Sequence, residues 1–226
     1  MTTTDSATRD TVGLIHAVLP AMPPLREQFT LDLPQVRVLH LLDEALIAEM
    51  ERLGSITPAL VRRMTTLVDL HRQAGARLVL LSCTVYSPFI EQVQAQADVP
   101  VLAIDSVMVD LAVSSGPRLG VLATNPNGLK MQQEMLARAS ARLGKPVEIV
   151  SVLRPDAWQA LTNGQGDRHD EILAEEAALL APRVDVLVLA QASMARAAAR
   201  MPADLTVSVL SSPALAVEKV KEVLAL

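Results

Sequence analysis

The 226-residue sequence lacks the residue patterns that several classes of protein require. It contains one cysteine, Cys83, which excludes an internal disulfide bond and any CxxC metal site. Its four histidines, His16, His40, His71 and His169, show neither HxH nor HxxxH spacing, so no zinc site is implied. We therefore expect a protein without a bound metal and without disulfide bonds.

Aromatic residues and basic clusters are also scarce. Aromatic side chains make up 2% of the sequence, and 20 Lys and Arg residues face 25 Asp and Glu residues, for a net charge of −5. This composition offers neither a stacking surface for bases nor a basic patch for phosphates. We therefore expect no nucleic-acid partner.

Long apolar runs are absent as well, and none approaches the roughly 18 residues of a membrane-spanning helix. The opening segment, MTTTDSATRD, is polar and has no basic stretch like that of a signal peptide. We therefore expect a cytoplasmic protein with no membrane partner. The sequence leaves the oligomeric state open, a homo-oligomer included.

The sequence does have a regular alternation of two patterns. Half of the residues are hydrophobic, and short runs rich in Val and Leu alternate with longer segments of helical period. This alternation is typical of parallel strands buried by crossover helices, so the predicted class is α/β. The predicted strands lie near 12–18, 36–42, 76–82, 99–104, 118–123, 147–152, 184–190 and 206–210. The predicted helices lie near 57–74, 87–97, 106–115, 126–143, 167–182, 193–200 and 213–225.

The two halves of the sequence repeat one pattern at an offset of about 107 residues, which is the spacing of Gly13 and Gly120. VGLIHA at 12–17 matches LGVLAT at 119–124, and the later predicted strands match in the same order. Any two stretches of an α/β protein look partly alike, but the preserved order favours an internal duplication.

A duplication predicts two pseudo-symmetric α/β lobes, each a four-stranded, mainly parallel sheet flanked by helices. We place residues 1–105 and 213–226 in the first lobe and residues 106–212 in the second, with the C-terminal helix packed on the first lobe. Open α/β sheets bind ligands at the carboxyl ends of their strands. The site is therefore expected in a cleft between the lobes.

Cys83 is the leading candidate for a reactive group. It follows the predicted strand 76–82 and precedes a helix near Ser87, so its sulfur is expected beside unpaired amide groups. Such amides stabilise a thiolate, so we expect a depressed pKa. The neighbouring hydroxyls of Ser82 and Thr84 are suited to hold an anionic group of a substrate. The alternative is a buried, unreactive cysteine.

Four segments, in this order, carry a resemblance to a known family. They are LVLLSCTVYSP, VPVLAID, RLGVLATNPN and VDVLVLAQASM. Together they resemble the aspartate/glutamate racemase superfamily, which includes amino-acid and hydantoin racemases, maleate isomerases and arylmalonate decarboxylases. The resemblance covers almost the whole chain. It implies two pseudo-symmetric lobes with a site in the cleft, and a reaction that needs no cofactor.

The resemblance also implies two cysteines, one from each lobe, that remove and return a proton on opposite faces of the substrate α-carbon. The first maps onto Cys83, but the second maps onto Ala192, which carries no acidic proton. Ser193 is a poor substitute because an unactivated hydroxyl is a far weaker acid than a thiol. A symmetric thiol pair is therefore excluded. In maleate isomerases the first-half cysteine is the nucleophile, whereas arylmalonate decarboxylases carry their thiol in the second half.

We therefore expect a cofactor-independent enzyme of the racemase and isomerase type that uses Cys83 as a single thiolate. Its partner would be a small, amino-acid-like carboxylate substrate. Racemisation, isomerisation and the decarboxylation of a malonate-type acid stay open. Two other interpretations are a carboxylate-binding protein that has lost turnover and an inert α/β protein.

His16 ends the first predicted strand, where racemases specific for acidic amino acids often have an aspartate. Because the ordinary pKa of histidine is about 6.5, His16 is the candidate to oppose the thiol, and we predict Cys83 and His16 as catalytic residues. A structural histidine is the alternative. Thr124 and Asn127 follow the strand 118–123, where the resemblance implies contacts to a substrate carboxylate and where a turn and a helix cap are the alternative.

Further polar residues follow the predicted strands of the second half. Gln191 and Ser193 come after one strand, and Ser212, which is also a candidate helix cap, comes after the next. The predicted substrate-binding residues are therefore Ser82, Thr84, Thr124, Asn127, Gln191, Ser193 and Ser212.

The remaining candidates are charged or titratable. Arg196, on an Ala-rich predicted helix, is a further candidate for a carboxylate contact. Asp105 closes a predicted strand and is a candidate helix cap. His71 and His169 lie on predicted helices and are expected at the surface.

Overall fold

The structure is a computed structural model that describes residues 10–226. In this part of the chain, eight strands form two four-stranded sheets in which every neighbouring pair is parallel. The first sheet contains Thr11–His16 (β1), Arg37–Leu42 (β2), Leu78–Leu81 (β3) and Val101–Ala103 (β4), in the order β2-β1-β3-β4. The second contains Arg118–Ala123 (β5), Glu148–Leu153 (β6), Val186–Leu189 (β7) and Ser208–Leu210 (β8), in the order β6-β5-β7-β8. The predicted fold class of two α/β lobes is confirmed.

Helices flank both sheets. The α-helices among residues 10–226 are Met22–Asp32 (α1), Ala45–Leu53 (α2), Pro58–Gln73 (α3), Ile90–Gln94 (α4), Ser106–Ser115 (α5), Pro126–Leu143 (α6), Pro155–Thr162 (α7), Gly166–Leu180 (α8) and Ser212–Leu224 (α9). Shorter 3-10 helices span Leu19–Ala21, Thr84–Phe89, Ala181–Arg183 and Ala192–Arg200. No helix in the described range combines the length and the apolar character needed to cross a membrane.

The inner strands of both sheets are buried, which explains why their sequences are runs of Val and Leu. Strands β1, β3 and β7 are buried along their whole length, whereas most residues of the edge strand β2 are half-buried. Helices cover both faces of a parallel sheet, so an inner strand has no polar face. For this reason all eight predicted strands lie within two residues of the observed bounds.

Three helices are absent from the sequence prediction, namely α1, α2 and α7. Helices α1 and α7 begin with proline in their first turn, a position where proline is compatible with a helix but where the sequence also resembles a turn. Helix α2 has only nine residues and no side-chain cap at its start. These helices therefore carried no clear signal in the sequence.

Each sheet forms a core with its flanking helices. The C-terminal helix α9 follows the second sheet in the chain but packs on the first. Strand β1 packs through Val12 and Leu14 against Phe29 of α1 and Val217 of α9. The C-terminal helix therefore completes the core of the first sheet. Helix α5 packs instead in the core of the second sheet, where Met108 joins residues of β5 and β7.

The surface positions predicted for His71 and His169 are wrong, because both side chains are buried. His71 packs over Gly13 of β1, where an added Cβ would lie 2.4 Å from the ring Cγ, so glycine makes the room. His169 Nδ1 lies 2.8 Å from the carboxylate of its neighbour Asp170. Burial lowers the pKa of both histidines.

Candidate active site

A cleft of about 280 Å³ lies between the two lobes, at the carboxyl ends of β3 and β7. Such a volume suits a molecule of roughly amino-acid size. Its first-lobe wall consists of Val18, Ala21, Ile47, Glu51, Ser82, Cys83, Thr84 and Val85. Its second-lobe wall consists of Asn125, Gly128, Trp158, Gln191, Ala192 and Ser193.

Cys83 lies in the cleft wall between β3 and the 3-10 helix Thr84–Phe89. Its backbone is still extended, and the N–H groups of Val85 and Tyr86 interact with its sulfur. The residue is half-buried and packs partly against apolar side chains of the first lobe.

The depressed pKa predicted for Cys83 is wrong. Burial raises the pKa of the thiol to about 11, and the charge of Asp105 acts in the same direction. The N–H groups of Val85 and Tyr86 lower the pKa but do not outweigh burial. Cys83 is therefore a thiol, not a thiolate, near neutral pH.

Asp105 is a fully buried carboxyl group behind the cleft wall. Its Oδ2 accepts a hydrogen bond from Ser87 Oγ at 3.1 Å, and its Oδ1 has no partner. Burial raises the pKa of Asp105 to about 6, and the nearby hydroxyls of Thr84, Ser87 and Ser212 oppose that rise. Ser212, predicted as a substrate-binding residue, lies buried at the start of α9 and is not part of the cleft wall.

A hydrogen bond joins the two lobes beside Cys83. Thr84 Oγ1 donates to the backbone carbonyl of Ala190 over 3.1 Å. This contact brings the segment after β3 against the segment after β7, so Cys83 and Ala192 line the same cleft from different lobes. Ser193, also a predicted binding residue, lines the cleft beside Ala192.

Gln191 and Thr124 form a buried pair in the second lobe. The Gln191 Oε1 accepts hydrogen bonds from the backbone N–H of Thr124 at 2.9 Å and from its hydroxyl at 3.1 Å. The Gln191 Nε2 is buried without a partner and lies over Gly128, where an added Cβ would be only 2.3 Å away. Thr124 thus lies behind the wall and positions Gln191, which is part of the wall.

The structure brings Asn125, and not the predicted Asn127, to the cleft. Asn125 is the N-cap of α6, and its Oδ1 accepts a hydrogen bond from the N–H of Gly128 at 2.7 Å. Asn127 is inside the first turn of α6 and is not among the residues that line the cleft. The signal in the sequence for Asn125, which the prediction did not use, is its capping position just before Pro126.

His16 does not reach the cleft, because its side chain is fully buried. The Ser82 Oγ, which does belong to the wall, lies 2.7 Å from His16 Nδ1. On its other side, His16 Nε2 lies 3.0 Å from His40 Nδ1. Burial, and then the neighbouring His40 and His71, lower the pKa of His16 to about 3.

Among the wall residues that the sequence did not reveal are Glu51 and Trp158. They come from α2 and α7, two helices absent from the prediction. Glu51 is the one charged side chain among the residues described as lining the cleft. Arg196 does not belong to this wall, because its Nε is paired at 3.0 Å with the carboxylate of Asp170.

Comparison with known proteins shows which proteins this chain is similar to. A family model described as Asp/Glu/Hydantoin racemase matches residues 25–220 of the chain. A glutamate racemase from Trichodesmium erythraeum (strain IMS101) is 27% identical over 114 residues, which are 50% of this chain and 41% of that protein. The chain therefore matches less than half of that relative's length.

Solved structures with low sequence identity share the fold. A glutamate racemase isoform from Bacillus anthracis has a TM-score of 0.73 and 14% identity, over 96% of this chain and 82% of that one. An aspartate racemase homologue from Pyrococcus horikoshii OT3 has a TM-score of 0.72 and 13% identity, over 96% of this chain and 100% of that one. An allantoin racemase from Klebsiella pneumoniae has a TM-score of 0.68 and 16% identity, over 96% of this chain and 88% of that one. Since the family model also spans most of the sequence, the chain belongs to the Asp/Glu/Hydantoin racemase family.

Proposed function

We propose that this protein is a cofactor-independent racemase or isomerase that acts on a small carboxylate through the single thiol of Cys83. The observation that carries the proposal is the cleft itself, in which Cys83 lines one lobe and Ala192 the other. The Cys83 thiol exchanges a proton with the substrate on one face only, because no second thiol exists in the chain to act on the other face.

The uncharged polar groups of the wall are suited to hold a substrate carboxylate. Ser193 and Asn125 supply hydroxyl and amide groups, and the unpaired Nε2 of Gln191 is a further donor that lies just behind the surface. Hydrogen bonds from such groups to an ionised carboxylate are stronger than those between neutral groups. The hydroxyl of Thr84 is not a donor for the substrate, because its proton is already donated to the carbonyl of Ala190. Ser193, Asn125 and Gln191 are the proposed substrate-binding residues.

The same wall favours a substrate with one carboxylate. No Lys or Arg is among the residues described as lining the cleft, and Glu51 adds a negative charge. A second carboxylate would therefore meet repulsion, whereas an ammonium group would be attracted to Glu51. Ile47 and Trp158 offer apolar surface for a side chain. We propose an α-substituted monocarboxylate, such as an amino acid with an apolar side chain.

The decarboxylation of a malonate-type acid is the second candidate function. The protonated state of Cys83 favours it, because a thiol whose pKa is about 11 is ready to give a proton to a carbanion left by loss of carbon dioxide. The absence of cations from the wall weighs against binding a malonate dianion. We therefore place this reaction second.

A deuterium-exchange screen tests the proposal. The protein would be incubated in heavy water with D- and L-amino acids, hydroxy acids, hydantoins, phenylmalonate and maleate, and α-deuterium incorporation would be followed by NMR. We expect deuterium exchange into a monocarboxylate in the wild type and its loss in Cys83→Ser, because the serine hydroxyl is a much weaker acid and nucleophile than the cysteine thiol.

Two controls make the screen decisive. Asn127→Ala changes a polar residue near the cleft that is not part of its wall, and it should keep wild-type exchange. Circular dichroism would show that Cys83→Ser is folded. Tight carboxylate binding without exchange would identify a non-catalytic binding protein, and exchange that survives in Cys83→Ser would overturn the proposal. A cytoplasmic location is a further proposal that rests on the sequence alone.

A further inference from the structure

Three polar side chains form a hydrogen-bonded row across the first sheet. Ser82 follows β3, His16 ends β1 and His40 lies in β2, and these three strands are neighbours. The Ser82 Oγ lies 2.7 Å from His16 Nδ1, and His16 Nε2 lies 3.0 Å from His40 Nδ1. The two imidazole planes are within 17° of each other. The row is thus continuous from one end to the other.

The two ends of the row open on different sides of the lobe. Ser82 lines the cleft, whereas His40 lines a separate outer groove of about 370 Å³ between α1 and β2, together with Arg26 and Thr30. His16, in the middle, has 0% exposure. Within residues 10–226, no hydrogen bond joins His40 Nε2 to another protein group. That nitrogen is therefore free to exchange protons with water in the groove.

We propose that Ser82, His16 and His40 form a proton relay that carries the proton of the Cys83 thiol out of the cleft and returns it. The proposal rests on the proposed function of Cys83. It assigns His16 and His40 a role in proton transfer without contact to the substrate, and it explains why a titratable pair is buried beside a cleft residue.

The transfer balances without any added reagent. The Cys83 S–H bond breaks, and its proton reaches Ser82 Oγ through water in the cleft, whose wall both residues line. Ser82 passes its own proton to His16 Nδ1, His16 passes its Nε2 proton to His40 Nδ1, and the His40 Nε2 proton goes to water in the outer groove. A thiolate is left in the cleft, one proton appears outside, and both imidazoles are neutral before and after.

The row stays hydrogen-bonded both before and after the transfer, with the direction of donation reversed. The 2.7 Å contact between Ser82 Oγ and His16 Nδ1 allows either direction of donation. Before the transfer, with the proton of His16 on Nε2, Ser82 Oγ is the donor to Nδ1. After it, His16 Nδ1 donates to Ser82 Oγ, and the hydroxyl proton turns to the carbonyl of Ile15, 3.1 Å away. When the substrate carbanion takes a proton back, the same path runs in reverse and restores the first polarity. A reaction that removes and then returns a proton therefore resets the relay.

The electrostatics of the row favour a concerted shift of its protons over a step that leaves a positive charge on one of the two imidazoles. Burial, followed by His40 and His71, lowers the pKa of His16, and burial, followed by Arg26 and His71, lowers that of His40. Neither ring holds an extra proton near neutral pH, so the protons have to move together. The competing acceptor is Glu51, the other ionisable group of the cleft wall besides Cys83.

The test compares variants in the exchange reaction, using the screened carboxylate that the wild type exchanges fastest. His40→Asn keeps a hydrogen-bonding group next to His16 Nε2 but does not relay protons, so kcat should fall about 100-fold with KM unchanged. Thr30→Ala, which alters the same groove outside the row, should match the wild type. In His40→Ala, added imidazole should restore kcat with increasing concentration. Full kcat in His40→Asn, or loss of exchange only in Glu51→Gln, would overturn the relay.

NMR of the ¹⁵N-histidine-labelled protein decides the matter without a substrate. In the wild type, His16 and His40 should both be neutral at pH 7 and should each exchange between the two tautomers. In His40→Asn, His16 should settle in one tautomer. A wild-type His16 with its proton held permanently on one nitrogen excludes the relay even if Cys83 is catalytic. Unchanged turnover in Cys83→Ser, by contrast, refutes the proposed function while the tautomer exchange still reports on the row.

Discussion

Thr84 of the first lobe donates a hydrogen bond to the backbone carbonyl of Ala190 in the second, with 3.1 Å between the two oxygens. Both residues are buried, and each lies next to a residue of the cleft wall. The contact therefore sets the distance between the segments that carry Cys83 and Ala192. The lobes meet through the loops that form the candidate site, so the geometry of the site depends on how the lobes pack.

Replacement of Thr84 by valine should destabilise the protein by about 1–3 kcal/mol, because the buried carbonyl of Ala190 loses its donor. Valine keeps the shape of threonine, so the loss is attributable to the hydroxyl. Urea unfolding followed by circular dichroism measures the change. Thr84→Ser retains a hydroxyl and should recover most of the stability; equal stability of Thr84→Val and the wild type would contradict the interlobe role.

If the natural reaction is a one-sided isomerisation or decarboxylation, Ala192→Cys should create racemase activity that the wild type lacks. The new thiol would face the substrate from the second lobe, opposite Cys83, and would supply an acid on the face that is now without one. Chiral chromatography of an exchanged amino acid measures the two enantiomers. Ala192→Ser is the matched control and should not racemise. Efficient racemisation by the wild type, with similar rates from both enantiomers, would contradict this prediction.

Gly128→Ala should weaken substrate binding through Gln191. The added methyl group would lie 2.3 Å from Gln191 Nε2, so the amide has to leave its position and loses its hydrogen bonds to Thr124. KM should rise while kcat changes little, and the melting temperature should fall by only a few degrees, because the clash is with the end of a flexible side chain. An unchanged KM would show that Gln191 does not contribute to binding.

Asp105→Asn should stabilise the protein near neutral pH and not at low pH. The folded pKa of about 6 lies above the ordinary 3.8, so ionisation of this buried group costs stability as the pH rises between those two values. At about 1.4 kcal/mol per pKa unit, the gain at pH 7.5 is at most roughly 3 kcal/mol, and it vanishes below pH 3.8. Asparagine retains an oxygen for Ser87.

Unfolding by urea from pH 3.5 to 7.5 measures the Asp105→Asn effect. Ser87→Ala is the matched control, since it removes the hydrogen bond but keeps the carboxyl group. A stability difference between Asp105→Asn and the wild type that does not depend on pH would contradict the raised pKa.

The sequence by itself determined the strands, the long helices and the position of Cys83 at the end of a strand. Val- and Leu-rich runs reveal buried parallel strands because such strands have no polar face, and the offset between Gly13 and Gly120 indicates two copies of one unit. Polar residues directly after these runs come to the carboxyl edge of a sheet, which is where Cys83, Gln191 and Ser193 lie. These features are local, so a single sequence reveals them.

Only the tertiary structure decided the surroundings of each group. The pKa of Cys83 depends on how far the cleft buries the thiol, and burial by distant residues outweighed the local amides that the sequence predicted. His16 is buried behind Ser82 because β1 lies between β2 and β3, and no pattern in the chain states that order. Glu51 and Trp158 enter the cleft wall on helices whose formation the local sequence did not indicate. Desolvation and strand order depend on contacts between segments far apart in the chain, which is why the fold was predictable here and the chemistry of the site was not.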